Sequence, residues 1–460
     1  MDKSKNTYPD LLSMIGNTPL VKANHLDTGV CELYLKMESM NPGGSIKDRI
    51  GLSMIQDAEA KGLIKPGDTL IEATAGNTGL GLALVAALKG YKMMLVIPDK
   101  MSQEKISHLT AMGVEIIMTR SDVGKGHPEY YQDLAAKIAE ERPNTFYINQ
   151  FQNQANPLAH ETSTGPEIFD QTDGEVDAVV CGVGSGGTIS GLAHYFQKVK
   201  PDVEMVLADP EGSILADYIH KGSYGEAGSW FVEGIGEDFI PDIADLSNVK
   251  KAYTVSDKDS LLTARELLLK EGILAGSSSG TIVTAALRYC REQTTPKKVV
   301  AFVCDSGSKY FSKMFNDHWM EDQGFIERET YHDLRDVVSR FYTKREVVTA
   351  KPSDTLQAAY SKMKMYDVSQ LPVIEDGKIV GILDEHDLLI AVHKNSHAFQ
   401  QEVKSAMTSN LTLIHPKDSM DKLTEILEQG YVAILTEGDN FIGLITKIDL
   451  LNYLKRKNNK

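Results

Sequence analysis

Between about residues 10 and 320, short and almost continuously apolar runs alternate with amphipathic helical stretches, and that alternation leaves few folds open. Residues 69–73 lead through a glycine turn into a helical pattern over 80–88, and residues 93–98, 114–118, 176–182, 204–208 and 298–303 repeat the strand theme. Strands that are apolar on both sides need cover on both sides. The spacing therefore predicts parallel sheets flanked by helices, an α/β fold. Ligands on such sheets collect at the carboxyl ends of the strands, which is where the glycine loops of this chain fall.

Near residue 320 the character changes. Residues 321–335 are polar and read as a linker or solvated helix, and beyond them two units, 336–398 and 399–460, overlay on one another. Gly381-Ile382-Leu383-Asp384-Glu385-His386-Asp387 in the first matches Gly443-Leu444-Ile445-Thr446-Lys447-Ile448-Asp449 in the second. Each reads as a strand, a short polar turn, an aspartate at fixed offset and an apolar helix. The expected division is a domain over 1–320, the linker 321–335 and two repeats. A chain of 460 residues is in any case too long for one compact core.

Charge and cysteine usage narrow the class. A net charge of −16, with no basic run before Lys455-Arg456-Lys457, argues against nucleic acid or an anionic membrane as main partner. No run of about 18 apolar residues is present, so no membrane span is expected. Cys31, Cys181, Cys290 and Cys304 lie far apart, which fits buried thiols in a reducing compartment and no metal site. Residues 1–6 lack the apolar core of a signal peptide, so the expected location is the cytoplasm.

Chemistry enters with Asn41-Pro42-Gly43-Gly44-Ser45-Ile46-Lys47-Asp48-Arg49, where one lysine follows a tight turn and opens a helix. Schiff-base chemistry needs a lysine fixed in place, able to lose its proton and then to shuttle protons. A lone lysine in such a turn is ordinarily a solvated cap, but three further loops change the reading. Glu72-Ala73-Thr74-Ala75-Gly76-Asn77-Thr78-Gly79 joins a strand to a helix. Its amides, with the Thr74 and Thr78 hydroxyls, make a carboxylate nest, and Asn77 can reach a ring oxygen of a neighbouring cofactor. In Gly182-Val183-Gly184-Ser185-Gly186-Gly187-Thr188 the glycines let backbone amides converge on a phosphate. A dinucleotide loop is the competitor, but no ribose-binding acid stands about 20 residues on, so a monophosphate cup is the better reading. In Ala275-Gly276-Ser277-Ser278-Ser279-Gly280-Thr281 a serine hydroxyl beside a pyridine nitrogen cannot protonate it as an aspartate would, which favours prompt β-elimination. Each loop alone would be a capped turn. The signal is the ordered set.

That set resembles the β-family, or fold type II, pyridoxal-phosphate enzymes, over roughly residues 8 to 320. The resemblance implies a tryptophan synthase β-like catalytic domain of two parallel-sheet subdomains. It also implies pyridoxal 5'-phosphate bound covalently by Lys47, with Asn77 at the ring hydroxyl and Ser278 at the pyridine nitrogen. Gly184, Ser185, Gly186, Gly187 and Thr188 would hold the phosphate. Thr74, Ala75, Gly76 and Thr78, with Gln150, would bind the substrate carboxylate. The less universal stretches resemble the cystathionine β-synthase family: Pro98-Asp99-Lys100-Met101-Ser102-Gln103-Glu104-Lys105, Asn156-Pro157-Leu158-Ala159-His160, Asp209-Pro210-Glu211-Gly212-Ser213, Glu233-Gly234-Ile235-Gly236 and Lys309-Tyr310. The C-terminal units resemble tandem CBS (Bateman) repeats.

The implied reaction joins L-serine to L-homocysteine with loss of water, with hydrogen sulfide-producing side reactions open. The alternative is an O-acetylserine sulfhydrylase making cysteine. Three departures bear on that choice: Glu237 where the synthases commonly have tyrosine, Phe151 for another tyrosine, and Ala75 for a serine. A third reading is a ligand sensor with a decayed catalytic half, against which Lys47, the phosphate cup and Ser278 all argue. The mammalian haem-binding extension has no counterpart, so no haem is expected. In the repeats, Thr446 and Asp449 occupy the ribose-contacting positions of the second unit, so S-adenosylmethionine or another adenine nucleotide is a candidate regulator. The first unit has Asp384 in place of the hydroxyl residue, followed by Asp387. The resemblance further implies small amino-acid partners and a homodimer, with higher oligomers through the repeats.

Overall fold

The structure, a computed structural model, describes residues 7–458 except 75, 100–102, 121 and 125. Ala75 of the substrate loop and Lys100, Met101 and Ser102 therefore lie outside the described residues. The chain divides into two compact units, Met1–Asn316 and Asp317–Lys460.

The first unit holds two sheets. Strands β1 (Leu20–Lys22) and β2 (Glu32–Lys36) start the larger one; β3 (Thr69–Ala73), β4 (Lys92–Pro98), β5 (Glu115–Thr119) and β6 (Thr145–Tyr147) form the smaller. The chain then returns to the larger sheet with β7 (Ala178–Gly182), β8 (Glu204–Pro210), β9 (Val249–Val255) and β10 (Lys298–Phe302). The strand orders are β1-β2-β10-β7-β8-β9 and β5-β4-β3-β6. Every pairing is parallel except β1 with β2, which is antiparallel. Val179, Val180, Val206 and Leu207 in the middle of the larger sheet are fully buried. This is the reason their segments lack the alternation of a one-faced strand.

Observed strand limits depart from the sequence reading where pairing decides them. The strand expected over 204–208 runs on to Pro210 because Asp209 and Pro210 pair with Thr254 and Val255. The helix expected over 80–88 begins already at Asn77. Its neighbour, the helix Lys47–Ala60, crosses it with almost no space between backbones. A Cβ on Gly51 would stand 2.8 Å from the carbonyl carbon of Gly81, and one on Gly81 would stand 2.7 Å from the carbonyl oxygen of Lys47. Ile50, Met54 and Ile55 are completely buried in the core that also contains Leu80, Leu82 and Val85. Each such side chain contributes about 1.5–3 kcal/mol of burial.

The second unit starts with the helix Asp317–Asp322, which takes up the beginning of the expected linker. Its two repeats are built alike. The helices Leu356–Tyr366 and Met420–Glu428 are each capped by a hydroxyl, Thr355 accepting from the Ala358 amide and Ser419 from the Lys422 amide. The hairpin β11 (Gln370–Glu375) with β12 (Lys378–Asp384) corresponds to the hairpin β14 (Ala433–Glu437) with β15 (Asn440–Ile445). In both, the register slips at the same place: Val373 faces Gly381 while Ile374 faces Ile379, and Leu435 faces Gly443 while Thr436 faces Phe441. A shared bulge is a stronger sign of repetition than shared composition. The strand β13 (Leu413–Ile414) pairs with β14 in parallel, as the single bridge Ala350 to Val373 does in the first repeat.

Candidate active site

Lys47 is the first residue of its helix, and the turn before it is pinned to the exit of β10. The Ile46 amide donates to the Cys304 carbonyl (2.8 Å), the Ser306 amide to the Gly44 carbonyl (3.2 Å), and the Gly43 amide to Asp48 Oδ2 (2.5 Å). Ser45 and Asp305 form an isolated antiparallel bridge. The lysine side chain is half-buried, and its amine has no hydrogen-bond or ion-pair partner among the described residues. Burial lowers its pKa below the ordinary lysine range, and the neighbouring Cys304 and Glu237 oppose that shift without cancelling it. A half-buried amine with a lowered pKa is available as nucleophile and base.

The substrate loop leaves β3 and enters the helix Asn77–Lys89. Thr74 Oγ1 accepts from the Gly76 amide (3.3 Å), while Thr78 Oγ1 donates to Gln150 Oε1 (2.7 Å). That bond uses the Gln150 amide oxygen and leaves its nitrogen as a donor. Asn77 is held at both ends: its Nδ2 donates to Asp305 Oδ2 (2.8 Å), and its Oδ1 accepts from Lys309 Nζ (2.8 Å). One Nδ2 hydrogen remains for an oxygen acceptor.

The cup follows β7 and opens the helix Gly187–Val199. Gly186 adopts φ +90°, and a Cβ there would stand 2.5 Å from the Ala244 side chain; a Cβ on Gly184 would stand 2.6 Å from the Gly234 carbonyl oxygen. No larger residue fits either place. Ser278 is the second residue of the helix Ser277–Arg291, and its hydroxyl hydrogen-bonds the Cys304 thiol, which in turn senses the Lys47 charge. Burial pushes that thiol up to about 12. Lys47 also acts on His160 behind the cup. An amine without a bonded partner among the described residues, a glycine loop at a helix N-terminus and a neutral serine hydroxyl fit the groups that pyridoxal phosphate requires.

The comparisons agree with that chemistry. Residues 11–305 match the family of pyridoxal-phosphate dependent enzymes, and residues 334–394 and 403–456 match the CBS domain. The cystathionine beta-synthase of Dictyostelium discoideum is 39% identical over 98% of this chain and 93% of its own length. This chain belongs to the cystathionine β-synthase family of pyridoxal-phosphate dependent enzymes. Cysteine synthase 1 of Neurospora crassa is 40% identical but covers only 71% of the chain, with 88% of its own length matched. A hydrogen sulfide-producing enzyme of Fusobacterium nucleatum has a crystal structure that superposes with a TM-score of 0.62 at 38% identity, over 66% of this chain and all of that one.

Within this cystathionine β-synthase family member, several site residues had no role assigned from sequence. Lys105 Nζ donates to Glu233 Oε2 (2.5 Å) and Tyr310 Oη (3.2 Å), and Tyr310 donates to Asp305 Oδ2 (2.8 Å). Lys313 Nζ takes the other Glu233 oxygen (2.6 Å). A continuous polar chain therefore links Lys105 to Asn77 and Lys309. Lys105 also faces the substrate loop, since a Cβ on Gly76 would stand 3.2 Å from its amine. The only sequence signal was that Lys105, Glu233, Lys309 and Tyr310 fall in family-like stretches. Of the departures, Phe151 packs against Phe239 with ring centroids 5.7 Å apart, and the Glu237 carboxylate acts on Lys47, Tyr130 and Tyr131.

In the second unit, Asp449 accepts from the Thr446 amide (2.7 Å), from Thr446 Oγ1 (2.5 Å) and from Ser339 Oγ. Asp384 and Asp387 instead form a reciprocal capping box at the helix Glu385–Lys394. Among the described residues no cluster of three or more His, Cys, Asp or Glu could hold a metal, and no helix is long and apolar enough to cross a membrane.

Proposed function

We propose that the chain condenses L-serine with L-homocysteine to L-cystathionine and water, a β-replacement. The observation that carries this reading is the Lys47 amine, its pKa lowered by burial and without a bonded partner among the described residues. The match of cystathionine beta-synthases to both units, where cysteine synthase 1 covers 71%, favours it over cysteine synthesis.

In this reading Lys47 holds pyridoxal phosphate covalently, Asn77 meets its ring hydroxyl, Ser278 its pyridine nitrogen, and Gly184, Ser185, Gly186, Gly187 and Thr188 its phosphate. Bound there, the cofactor supplies an electron sink that labilises the α-proton and β-substituent of an amino acid. Thr74, the Gly76 amide, Thr78 and Gln150 orient the serine carboxylate. Displaced from the cofactor by the amino group of serine, Lys47 Nζ would take the α-proton and deliver a proton to the departing hydroxyl, which leaves as water. Neutral again, it takes the proton of the homocysteine thiol as sulfur bonds to the β-carbon, then returns a proton to the α-carbon. In the same reading Glu237 and Phe151 set thiol preference, including any release of hydrogen sulfide.

The same reading places an adenosyl ligand, S-adenosylmethionine or an adenine nucleotide, at Thr446 and Asp449. It takes the enzyme as a cytoplasmic homodimer. The test is a product assay by mass spectrometry on the cofactor-loaded full chain, offering L-serine or O-acetyl-L-serine with homocysteine or sulfide. Cystathionine from serine and homocysteine is the expected preferred product. Preference for O-acetylserine with sulfide would make the protein a cysteine synthase instead.

A further inference from the structure

The two hydroxyls of the cup are each backed by a buried side chain from one short helical segment. Asn156 and His160 are one turn apart, each 1% exposed. Asn156 Nδ2 donates to Ser185 Oγ (2.9 Å), and His160 Nε2 lies 3.2 Å from Thr188 Oγ1. The segment passes from the helix Ala155–Ala159 into a π-turn, His160–Thr164, a local widening that recurs at functional positions. There His160 Nδ1 meets Thr164 Oγ1 at 2.9 Å.

The Asn156 amide can be oriented in only one way. Its Nδ2 also meets the Gln150 carbonyl oxygen (2.8 Å), which can only accept, so nitrogen must face it. Both Nδ2 hydrogens are then spent, one of them on Ser185, whose oxygen becomes an acceptor from behind and whose own proton must turn elsewhere. His160 has hydroxyls on both sides, so its tautomer is set by what Thr188 must do. Burial, with the charge of Arg49 adding to it, holds the ring at about 3, so it is neutral. If Thr188 donates to an anion, Nε2 must carry the hydrogen and Thr164 must donate to Nδ1. The opposite tautomer would turn the Thr188 proton away from the cup and present a lone pair to the phosphate.

We infer that Asn156 and His160 are positioning residues that turn the Ser185 and Thr188 protons onto the cofactor phosphate, with His160 in its Nε2–H tautomer. This rests on the reading that the cup holds a phosphate. The test compares affinities of the stripped full chain for pyridoxal 5'-phosphate and for pyridoxal. His160→Gln keeps an N–H donor near the Nε2 position and should preserve the preference for the phosphorylated form. His160→Leu should lower that preference about tenfold or more, as expected for a hydrogen bond to a charged group. Equal preferences in the two variants would overturn the inference. If the wild type itself shows no preference for the phosphorylated form, it is the phosphate-cup reading that fails. A second measurement needs no variant to fold: ring 15N shifts of histidine-labelled wild type loaded with pyridoxal 5'-phosphate. The Nε2–H pattern is expected for His160, and an Nδ1–H or imidazolium pattern would overturn the inference.

Discussion

The backbone carbonyl oxygen of Lys47 lies 2.7 Å from where a β-carbon added to Gly81 would have to stand. Gly81→Ala must therefore push the reactive lysine off its seat while changing no group in the site. A displacement of about 1 Å costs on the order of a hundredfold in rate. The expected result is a loss of that order in kcat with the far-ultraviolet circular dichroism unchanged. Wild-type kcat in this variant would show that the backbone contact does not position Lys47.

Lys47→Ala removes the group proposed to move the α-proton. Turnover should disappear, and stripped protein mixed with pyridoxal phosphate should no longer develop the visible absorbance of a lysine-bound cofactor. Turnover at the wild-type rate would refute the role given to Lys47.

Glu237 raises the Lys47 pKa while burial lowers it. Glu237→Gln removes the opposing charge, so the lysine should lose its proton more readily. The rate at which stripped protein captures pyridoxal phosphate, followed against pH, should hold its high-pH plateau to lower pH than in the wild type. A profile that does not move, or moves upward, would separate Glu237 from Lys47.

Arg49, 3% exposed, is bonded to Glu38 (2.8 Å) and Glu167 (2.7 Å). Burial pushes the Glu167 carboxyl up, and Arg49 and Lys36 more than reverse it, holding it at about 2 against an ordinary 4.5. A depressed carboxyl contributes stability above its unfolded pKa and loses it as pH falls through the folded value. Glu167→Gln should cost about 3 kcal/mol at pH 7 in urea unfolding, as for a broken buried pair. The deficit should narrow as pH falls from 4.5 toward 2, and a pH-independent deficit would contradict the assignment.

Asp449 gathers three donors in the second repeat, whereas Asp384 is committed to a capping box. Calorimetric titration of the full chain with S-adenosylmethionine and with adenosine triphosphate should give one site per chain, abolished by Asp449→Asn and kept in Asp384→Ala. Heat that survives Asp449→Asn would move the site elsewhere.

What could be read beforehand was local. Lys47, Asn77, Ser278 and the cup stand in contiguous stretches where a turn glycine, a helix start and a functional side chain occur within a few residues. The parallel sheets were legible for the same reason, because strands buried on both faces write unbroken apolar runs. Lys309 and Lys105 were not assigned roles, since their partners are distant: Asn77 is 232 positions from Lys309, and Glu233 is 128 from Lys105. Each lies in a family-like stretch, but nothing adjacent to it in sequence names its partner. Strand ends such as Pro210 were missed because an adjacent strand, not the local sequence, sets them.

The helices that begin at Lys47 and Asn77 meet main chain to main chain at Gly51 and Gly81. The span between the reactive amine and the substrate loop is therefore a ruler made of peptide units. Side chains on the loop can be exchanged without changing its markings. In such a scaffold, substrate preference can drift over generations while the distance a proton travels is inherited intact.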